Sequence, residues 1–206
     1  MRPPLPLLSL CALLSAACAA ATAAGTSTPA ATGHAWVQYS ARGVELRVVT
    51  AEVRCPHALL DGQQTPMDLR SEPGEGYPAR TCALALPAAT KQVEVVIHLG
   101  DYLYRESPCP AGNKGCEGSP WGDSLSVWQA DFLTPADKLL ASAPWLLLRG
   151  NHEECTRAGK GWSRLFDPDP FDAAKGCNPP AEPLWVRLGA VDLLDLDNPA
   201  AKAAGN

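Results

Sequence analysis

The chain has 206 residues, of which 22 are acidic and 17 basic, and its formal net charge is −5 at pH 7. This balance, without any run of Lys or Arg, excludes the clustered basic surface with which proteins bind nucleic acids. Hydrophobic residues make up 46% of the chain, yet no internal stretch reaches the ~18–20 apolar residues of a membrane span, which excludes a multi-pass membrane protein.

Residues 1–24 have the pattern of a secretory signal peptide. Arg2 supplies a positive charge, residues 5–24 are uncharged, and alanines near its end offer small side chains for cleavage. We therefore expect an exported protein, in the periplasm or outside the cell. Cys18 is a weaker candidate for a lipid anchor, because the leucine usual three residues before such a cysteine is missing.

Six cysteines remain if Cys11 and Cys18 leave with the signal peptide. An even number in an oxidising compartment predicts disulfides. The simplest pairing joins neighbours in the sequence, although the spacing leaves other pairings open. It would form Cys55–Cys82, Cys109–Cys116 and Cys155–Cys177. A zinc–thiolate site is the alternative, but no Cys-x-x-Cys motif is present.

The mature chain is predicted to have two parts. Residues 25–35 are small and polar and indicate a linker. Residues 36–90 predict a small β-rich accessory domain, because residues 44–49 partly alternate as in a strand and turn signals follow at short intervals. Residues 91–206 form the second part.

From residue 91 the pattern predicts an α/β arrangement. A β-branched run over 93–99 and an apolar run over 144–149 each end abruptly at a glycine, as buried strands do. Residues 124–143 between them predict a helix divided at Pro135. Residues 184–188 and 191–196 predict a hairpin or two adjacent strands.

The two buried strands deliver chemically useful side chains at their carboxyl ends, where α/β folds place ligand sites. Asp101 offers a carboxylate that can bridge two cations, and Tyr104 offers a phenolate. Asn151 offers an amide oxygen, and His152 can bind a metal or donate a proton near neutral pH. The preceding glycines permit the sharp turns that aim these side chains.

Gly-Asp-x-x-Tyr at 100–104 and Gly-Asn-His-Glu at 150–153 resemble motifs of the calcineurin-like metallophosphoesterase superfamily, and the tyrosine resembles its purple acid phosphatase branch. The resemblance implies a β-sandwich with flanking helices, here partial and preceded by the small β-rich domain. It also implies two divalent or mixed-valence metal ions (Fe, Mn or Zn) and a phosphate ester substrate, attacked by a metal-bound hydroxide.

The same resemblance implies a role for each motif residue. Asp101 would bridge the two ions, Tyr104 would bind the first and Asn151 the second. His152 would stabilise the transition state or protonate the leaving group. Glu153 would orient His152. His152 and Glu153 are thus the candidate catalytic residues, and the other three are the candidate metal ligands.

The chain also departs from the superfamily pattern. No Asp-x-His or Asp-x-Gly closes a strand before residue 93, and no histidine follows His152. We therefore expect residues 91–206 to be a truncated member with weak or no hydrolysis. The alternative is a non-catalytic remnant that serves as an extracytoplasmic binding or structural module. Substrate, metal identity and oligomeric state are left open.

Gly122-Asp123-Ser124-Leu125 matches the nucleophile block of GDSL esterases. That chemistry needs a preceding buried strand and a downstream histidine that activates the serine. The residues before Gly122 indicate a loop, and no downstream histidine has the required spacing, so Asp123 or Ser124 is predicted to cap the following helix. Arg105 and Arg149 flank the two strand-end motifs, where they would either hold a phosphate or form ion pairs.

Overall fold

The computed structural model of the protein describes residues 33–87 and 95–197 together with Pro199. The predicted signal peptide, most of the predicted linker and the start of the predicted strand at 93–99 lie outside the described residues. In the described part of the chain, no helix is long and apolar enough to cross a membrane.

Within residues 33–87 and 95–197, ten strands form one large mixed sheet and two small antiparallel pairs. They are β1 (His34–Ser40), β2 (Gly43–Thr50), β3 (His57–Leu60), β4 (Gln63–Pro66), β5 (Asp68–Ser71), β6 (Arg80–Ala85), β7 (Val96–His98), β8 (Trp145–Leu147), β9 (Leu184–Leu188) and β10 (Val191–Asp195). The large sheet has the order β5-β6-β2-β1-β8-β7, and β3-β4 and β9-β10 are the small pairs. The predicted hairpin around residues 189–190 is confirmed as β9-β10.

The helices are short. They are α1 (Leu125–Trp128), a π-helical turn (Gln129–Leu133), α2 (Asp137–Leu140), a 3-10 turn (Asn151–Glu153) and α3 (Gly159–Leu165). The predicted division near Pro135 is confirmed, because α2 begins two residues after it. The π turn was not predicted; its mark is the hydrogen bond from Thr134 N to Gln129 O at 2.9 Å.

Mixed sheets with few helices confirm the predicted α/β class. The sandwich of two packed sheets stays a prediction. The boundary between a separate β-rich domain and the second part also stays a prediction, but the large sheet runs across it. Strands β1, β2, β5 and β6 lie before residue 90, and β7 and β8 lie after it.

Side chains of the early strands bind the end of α3. Gln38 Nε2 donates to Phe166 O at 2.7 Å, and Arg47 Nη1 donates to Leu165 O at 2.8 Å. Arg70 Nη2 donates to the carbonyl oxygens of Ser163, Asp167 and Asp169, and its Nε donates to Arg164 O. The last carbonyls of a helix have no partner within it, so these contacts satisfy groups that would otherwise be buried unpaired.

An aromatic core lies beneath the carboxyl ends of β7 and β8. Its largest members are Trp36, Tyr102, Trp128, Phe132, Trp145, Trp162 and Phe166, all buried. Rings of this size bury a large apolar area, which dominates the stabilisation of a small core. Trp36, Trp128, Trp145 and Trp162 are buried in this core, whereas Trp121 and Trp185 are exposed.

Among the cysteines that the structure describes, three disulfides join sequence neighbours, as predicted. They are Cys55–Cys82, Cys109–Cys116 and Cys155–Cys177, with Cα–Cα distances of 5.7, 5.5 and 5.7 Å. The first joins the loop after β2 to β6, the second closes the loop after the Gly-Asp-x-x-Tyr motif, and the third joins the loop before α3 to the segment that follows it.

Candidate functional site

The two strand-end motifs meet because β7 and β8 are adjacent and parallel, with Val96 opposite Trp145. Their backbones touch at two glycines. A Cβ on Gly100 would lie 2.5 Å from Gly150 N, and a Cβ on Gly150 would overlap Asp101 Oδ1. Gly100 and Asp101 have φ of 99° and 62°, the left-handed region that suits glycine. The close approach of the two loops therefore requires glycine at positions 100 and 150.

Glu153 fastens these two loops together. Its side chain is completely buried. Oε2 accepts hydrogen bonds from Asp101 N at 2.9 Å and Gly150 N at 3.1 Å, and Oε1 accepts from Tyr102 N at 2.8 Å and Leu103 N at 3.3 Å. Burial raises the pKa of this carboxyl, although the four backbone N–H groups act in the opposite direction. The carboxylate thus lies at the backbone, not at the imidazole that it was expected to orient.

Asp101 and Asn151 lie side by side. With its amide nitrogen turned toward the carboxylate, Asn151 donates to Asp101 Oδ1 at 3.2 Å and accepts from Arg157 Nη1 at 2.8 Å. The backbone N of His152 also donates to Asp101 Oδ1, at 3.3 Å. The structure therefore brings together the two residues that the sequence predicted to share one site.

The imidazole of His152 is held by groups that the sequence reasoning missed. Its Nδ1 lies 2.7 Å from Glu106 Oε1, 3.0 Å from Leu103 O and 2.9 Å from Arg157 Nη2. Arg157 also forms an ion pair with Glu106. Two acceptors at Nδ1 favour the tautomer that carries its proton there, and within the described residues Nε2 makes no hydrogen bond. The only sequence signal was proximity: Glu106 lies two residues after Tyr104, and Arg157 five after His152.

Tyr104 lies against His152, with 4.3 Å between the ring centroids. Its side chain is 65% exposed, so the phenol faces solvent at the rim. The loop is held by Asp131 of the π turn, whose Oδ2 accepts from Tyr104 N at 3.0 Å and from Arg105 N at 3.2 Å. Arg105 Nε lies 2.6 Å from Asp131 Oδ1, so this arginine forms an ion pair.

Arg149 supports the site from below. It is buried, and its Nε donates to Glu153 O at 2.9 Å. Its Nη2 contacts both sulfurs of the Cys155–Cys177 disulfide at 3.5 Å, and Nη1 lies 3.7 Å from Asp197 Oδ2. Arg149 is therefore a structural cation, and of the two arginines proposed to flank a phosphate neither has a free guanidinium in the structure.

The Gly-Asp-Ser-Leu segment has a structural role. Asp123 accepts hydrogen bonds from Tyr77 Oη, from Trp128 Nε1 at 3.1 Å, and from the backbone N of Lys160 at 2.9 Å and Gly161 at 3.1 Å. Ser124 precedes α1 but makes no capping bond, and its Oγ lies 3.1 Å from that of Ser126. The predicted cap therefore serves α3, not the helix that follows Asp123.

The resemblance implies two metal ions, and the candidate site offers three donors to them. Asp101 supplies a carboxylate, Asn151 an amide oxygen and Tyr104 an exposed phenol. Across residues 33–87 and 95–197, no three His, Cys, Asp or Glu side chains are grouped so that they could hold a metal ion. Because catalytic metal ions usually keep about three protein ligands each, these donors do not fit a two-ion cluster.

A family model described as calcineurin-like phosphoesterase matches residues 74–197, more than half of the chain. The matched range contains both strand-end motifs, the aromatic rings around them and the β9-β10 hairpin. No curated protein and no solved structure matches the chain.

Proposed function

The chain belongs to the calcineurin-like phosphoesterase family, and from this membership we propose that it is an exported phosphoesterase-type hydrolase. The observation that carries the proposal is the meeting of Asp101, Asn151 and His152 at the ends of two adjacent parallel strands. Export is supported by the uncharged run at 5–24 and by the three disulfides, which persist in oxidising compartments.

In this proposal, His152 handles the proton of the reaction. Glu106 and Leu103 O hold Nδ1, so the ring is fixed and Nε2 is the nitrogen left to meet a substrate oxygen. A protonated Nε2 donates to the leaving oxygen, and a neutral one accepts. Arg157, which is paired with Glu106, keeps that carboxylate beside the ring.

The family generally depends on two metal ions, which act as Lewis acids toward phosphoryl oxygens. Asp101, Asn151 and Tyr104 are the proposed metal-facing residues. Because the described donors do not complete such a cluster, we expect weak metal binding and slow turnover. That shortfall also favours a second candidate function, in which the chain binds phosphate esters without hydrolysing them.

The test uses the purified full chain with p-nitrophenyl phosphate, with and without added Fe, Mn or Zn. We expect slow metal-dependent hydrolysis that His152→Ala lowers by about 100-fold or more, the scale of lost acid–base catalysis. His57→Ala, an exposed histidine of β3, is the matched control and should leave the rate unchanged.

Phosphate binding, measured by calorimetry, separates the remaining outcomes. Binding without hydrolysis supports the second candidate. Hydrolysis that survives both His152→Ala and Asp101→Asn contradicts the proposed site, as does a chain that neither binds nor hydrolyses phosphate esters.

A further inference from the structure

A cleft of about 250 Å³ adjoins the candidate site on the side of Tyr104. Its walls come from Tyr104 and Arg105, from Pro108 and Pro110, and from the Cys109–Cys116 disulfide and Trp121. Tyr104 ends the Gly-Asp-x-x-Tyr motif, and the other lining residues belong to the loop that follows it.

The loop is built to keep its shape. Gly122 N donates to Arg105 O at 2.8 Å, which closes the loop at its base. Asn113 N donates to Pro110 O at 3.0 Å, and Ser119 N donates to Cys116 O at 3.0 Å, on either side of the disulfide. A cleft that is already formed binds a ligand without the entropic cost of ordering its walls.

Tyr104 is shared between the cleft and the candidate site. One part of its ring lies against His152, 4.3 Å between centroids, and the same side chain lines the cleft. A phosphate ester with its phosphoryl group at His152 therefore has its organic group directed along Tyr104. The cleft is the described cavity that lies within reach of that group.

The cleft presents aromatic and proline surface. Trp121 is 55% and Tyr104 65% exposed, so both rings are open to a flat group that stacks on them. An apolar cavity of about 150 Å³ holds benzene. A cleft of about 250 Å³ thus has room for one substituted ring.

We propose that this cleft binds the organic group of the substrate, and that the preferred substrates are phosphate monoesters carrying one flat aromatic ring, which stacks on Trp121 and Tyr104. The inference rests on the proposed phosphoesterase function and adds a substrate class to it. It assigns Trp121 as a specificity-determining residue, away from the groups that handle the phosphate.

The test measures binding, so it does not depend on turnover. The indole N–H signal of Trp121 in the NMR spectrum of the full chain is assigned with Trp121→Phe, and the chain is titrated with phenyl phosphate, glycerol phosphate and phenol. We expect phenyl phosphate to move this signal and to bind about tenfold more tightly than glycerol phosphate, as one stacking contact would give.

Trp121→Ala should remove this preference and leave glycerol phosphate binding unchanged, whereas Trp121→Phe should keep most of it. Trp185→Ala, which removes the exposed tryptophan of β9, is the matched control and should have no effect. Equal affinity for the two phosphates, or a preference that survives Trp121→Ala, would overturn the proposal.

The titration with phenol distinguishes failure of the cleft assignment from failure of the proposed phosphoesterase function. If phenol moves the Trp121 signal but neither phosphate binds more tightly than phenol, the ring-binding cleft stands and the phosphoesterase function fails. If glycerol phosphate binds and phenyl phosphate leaves the Trp121 signal unmoved, the function stands and the cleft assignment fails.

Discussion

At the scale of single residues, Glu153 shows how one buried carboxylate sets the geometry of a site without taking part in it. Its four hydrogen bonds join backbone N–H groups from the ends of two strands. Bonds to a charged acceptor are roughly twice as strong as neutral ones, and burial removes the competition of water. Asp101 and Asn151 are therefore held beside each other by a residue that binds the backbone of both loops.

Replacing Glu153 with Gln tests this role. The amide keeps one acceptor oxygen but turns an NH₂ group toward backbone donors, so we expect the free energy of unfolding to fall by about 2–4 kcal/mol. Glu154→Gln, the same change one residue on, is the control and should stay within about 0.5 kcal/mol. Chemical denaturation measures both, and equal stability of the two variants would contradict the role of Glu153 in joining the two loops.

The residue types at the site could be predicted from the sequence, but their partners could not. Gly100 and Gly150 end strands, and a glycine followed by a polar residue is visible in the sequence. That the acid at the imidazole is Glu106, and not Glu153, depends on how the chain turns after Tyr104. The turn is set by contacts with Asp131, a residue of a different element, which no local spacing reveals.

At the scale of elements, the π turn explains that contact. A helix over residues 124–143, divided at Pro135, was predicted without a π turn, since propensity and apolar spacing do not distinguish one extra residue in a turn. The π turn at Gln129–Leu133 accommodates the extra residue. Asp131, which lies in this turn, accepts hydrogen bonds from the backbone N of Tyr104 and Arg105. The irregular helix thus positions the rim of the site.

Asp123 and Ser124 give a matched pair of variants at this scale. Asp123→Ala removes the acceptor of Tyr77, Trp128 and the start of α3, so we expect a loss of about 2–4 kcal/mol in unfolding free energy. Ser124→Ala should cost about 0.5 kcal/mol or less. Thermal denaturation measures the stability of both variants, and an ester-hydrolysis assay is run beside it. An esterase activity that is lost in Ser124→Ala would support Ser124 as the nucleophile of a GDSL esterase.

At the scale of the whole molecule, the early strands and α3 form one unit. Arg47 is completely buried and paired with the buried Glu45, and it also binds Asp167 O at 2.9 Å. Burial lowers the pKa of Arg47 to about 10, which leaves it charged at neutral pH. A buried cation is tolerated only when its N–H donors have acceptors. Two of the acceptors of Arg47 are the carbonyl oxygens of Leu165 and Asp167, more than 100 residues later in the chain.

Asp167, at this junction, predicts a pH dependence of stability. Burial raises its pKa from 3.8 to about 6, so folding favours its protonated form. The folded state binds more protons between these two values, and stability from this group therefore falls as pH rises from about 4 to about 6. The ionised group costs about 1–3 kcal/mol above that window.

Asp167→Asn keeps an oxygen for Asp169 N and removes the charge. We expect it to stabilise the protein at pH 7, to be near neutral at pH 4, and to flatten the curve between them. Asp68→Asn, an exposed aspartate of β5, is the control and should leave the curve's shape unchanged. Urea denaturation across pH 4–7 measures the effect, and a larger gain at pH 4 than at pH 7 would refute it.

The α/β class, the hairpin and the disulfide pairing could be predicted because each depends on neighbours in the sequence. The continuity of the large sheet could not, since β1 pairs with β8, and Gln38 lies opposite Trp145. Turn-rich segments favour a separate small domain when only local signals are considered. Whether the strands form one sheet or two depends on the pairing of β1 with β8, which lie about 100 residues apart in the sequence. Local patterns in a single sequence do not reveal such a pairing.

The order of strands in the large sheet also has a consequence for how the chain is made. β2 can cover one edge of β1 as soon as it leaves the ribosome, but the partner for the other edge is encoded at residues 145–147. At a synthesis rate of ~5–20 residues per second, that edge waits for roughly 5–20 s. An uncovered strand edge can recruit another copy of the same chain, so the interval before β8 arrives is when newly made molecules are most exposed to aggregation.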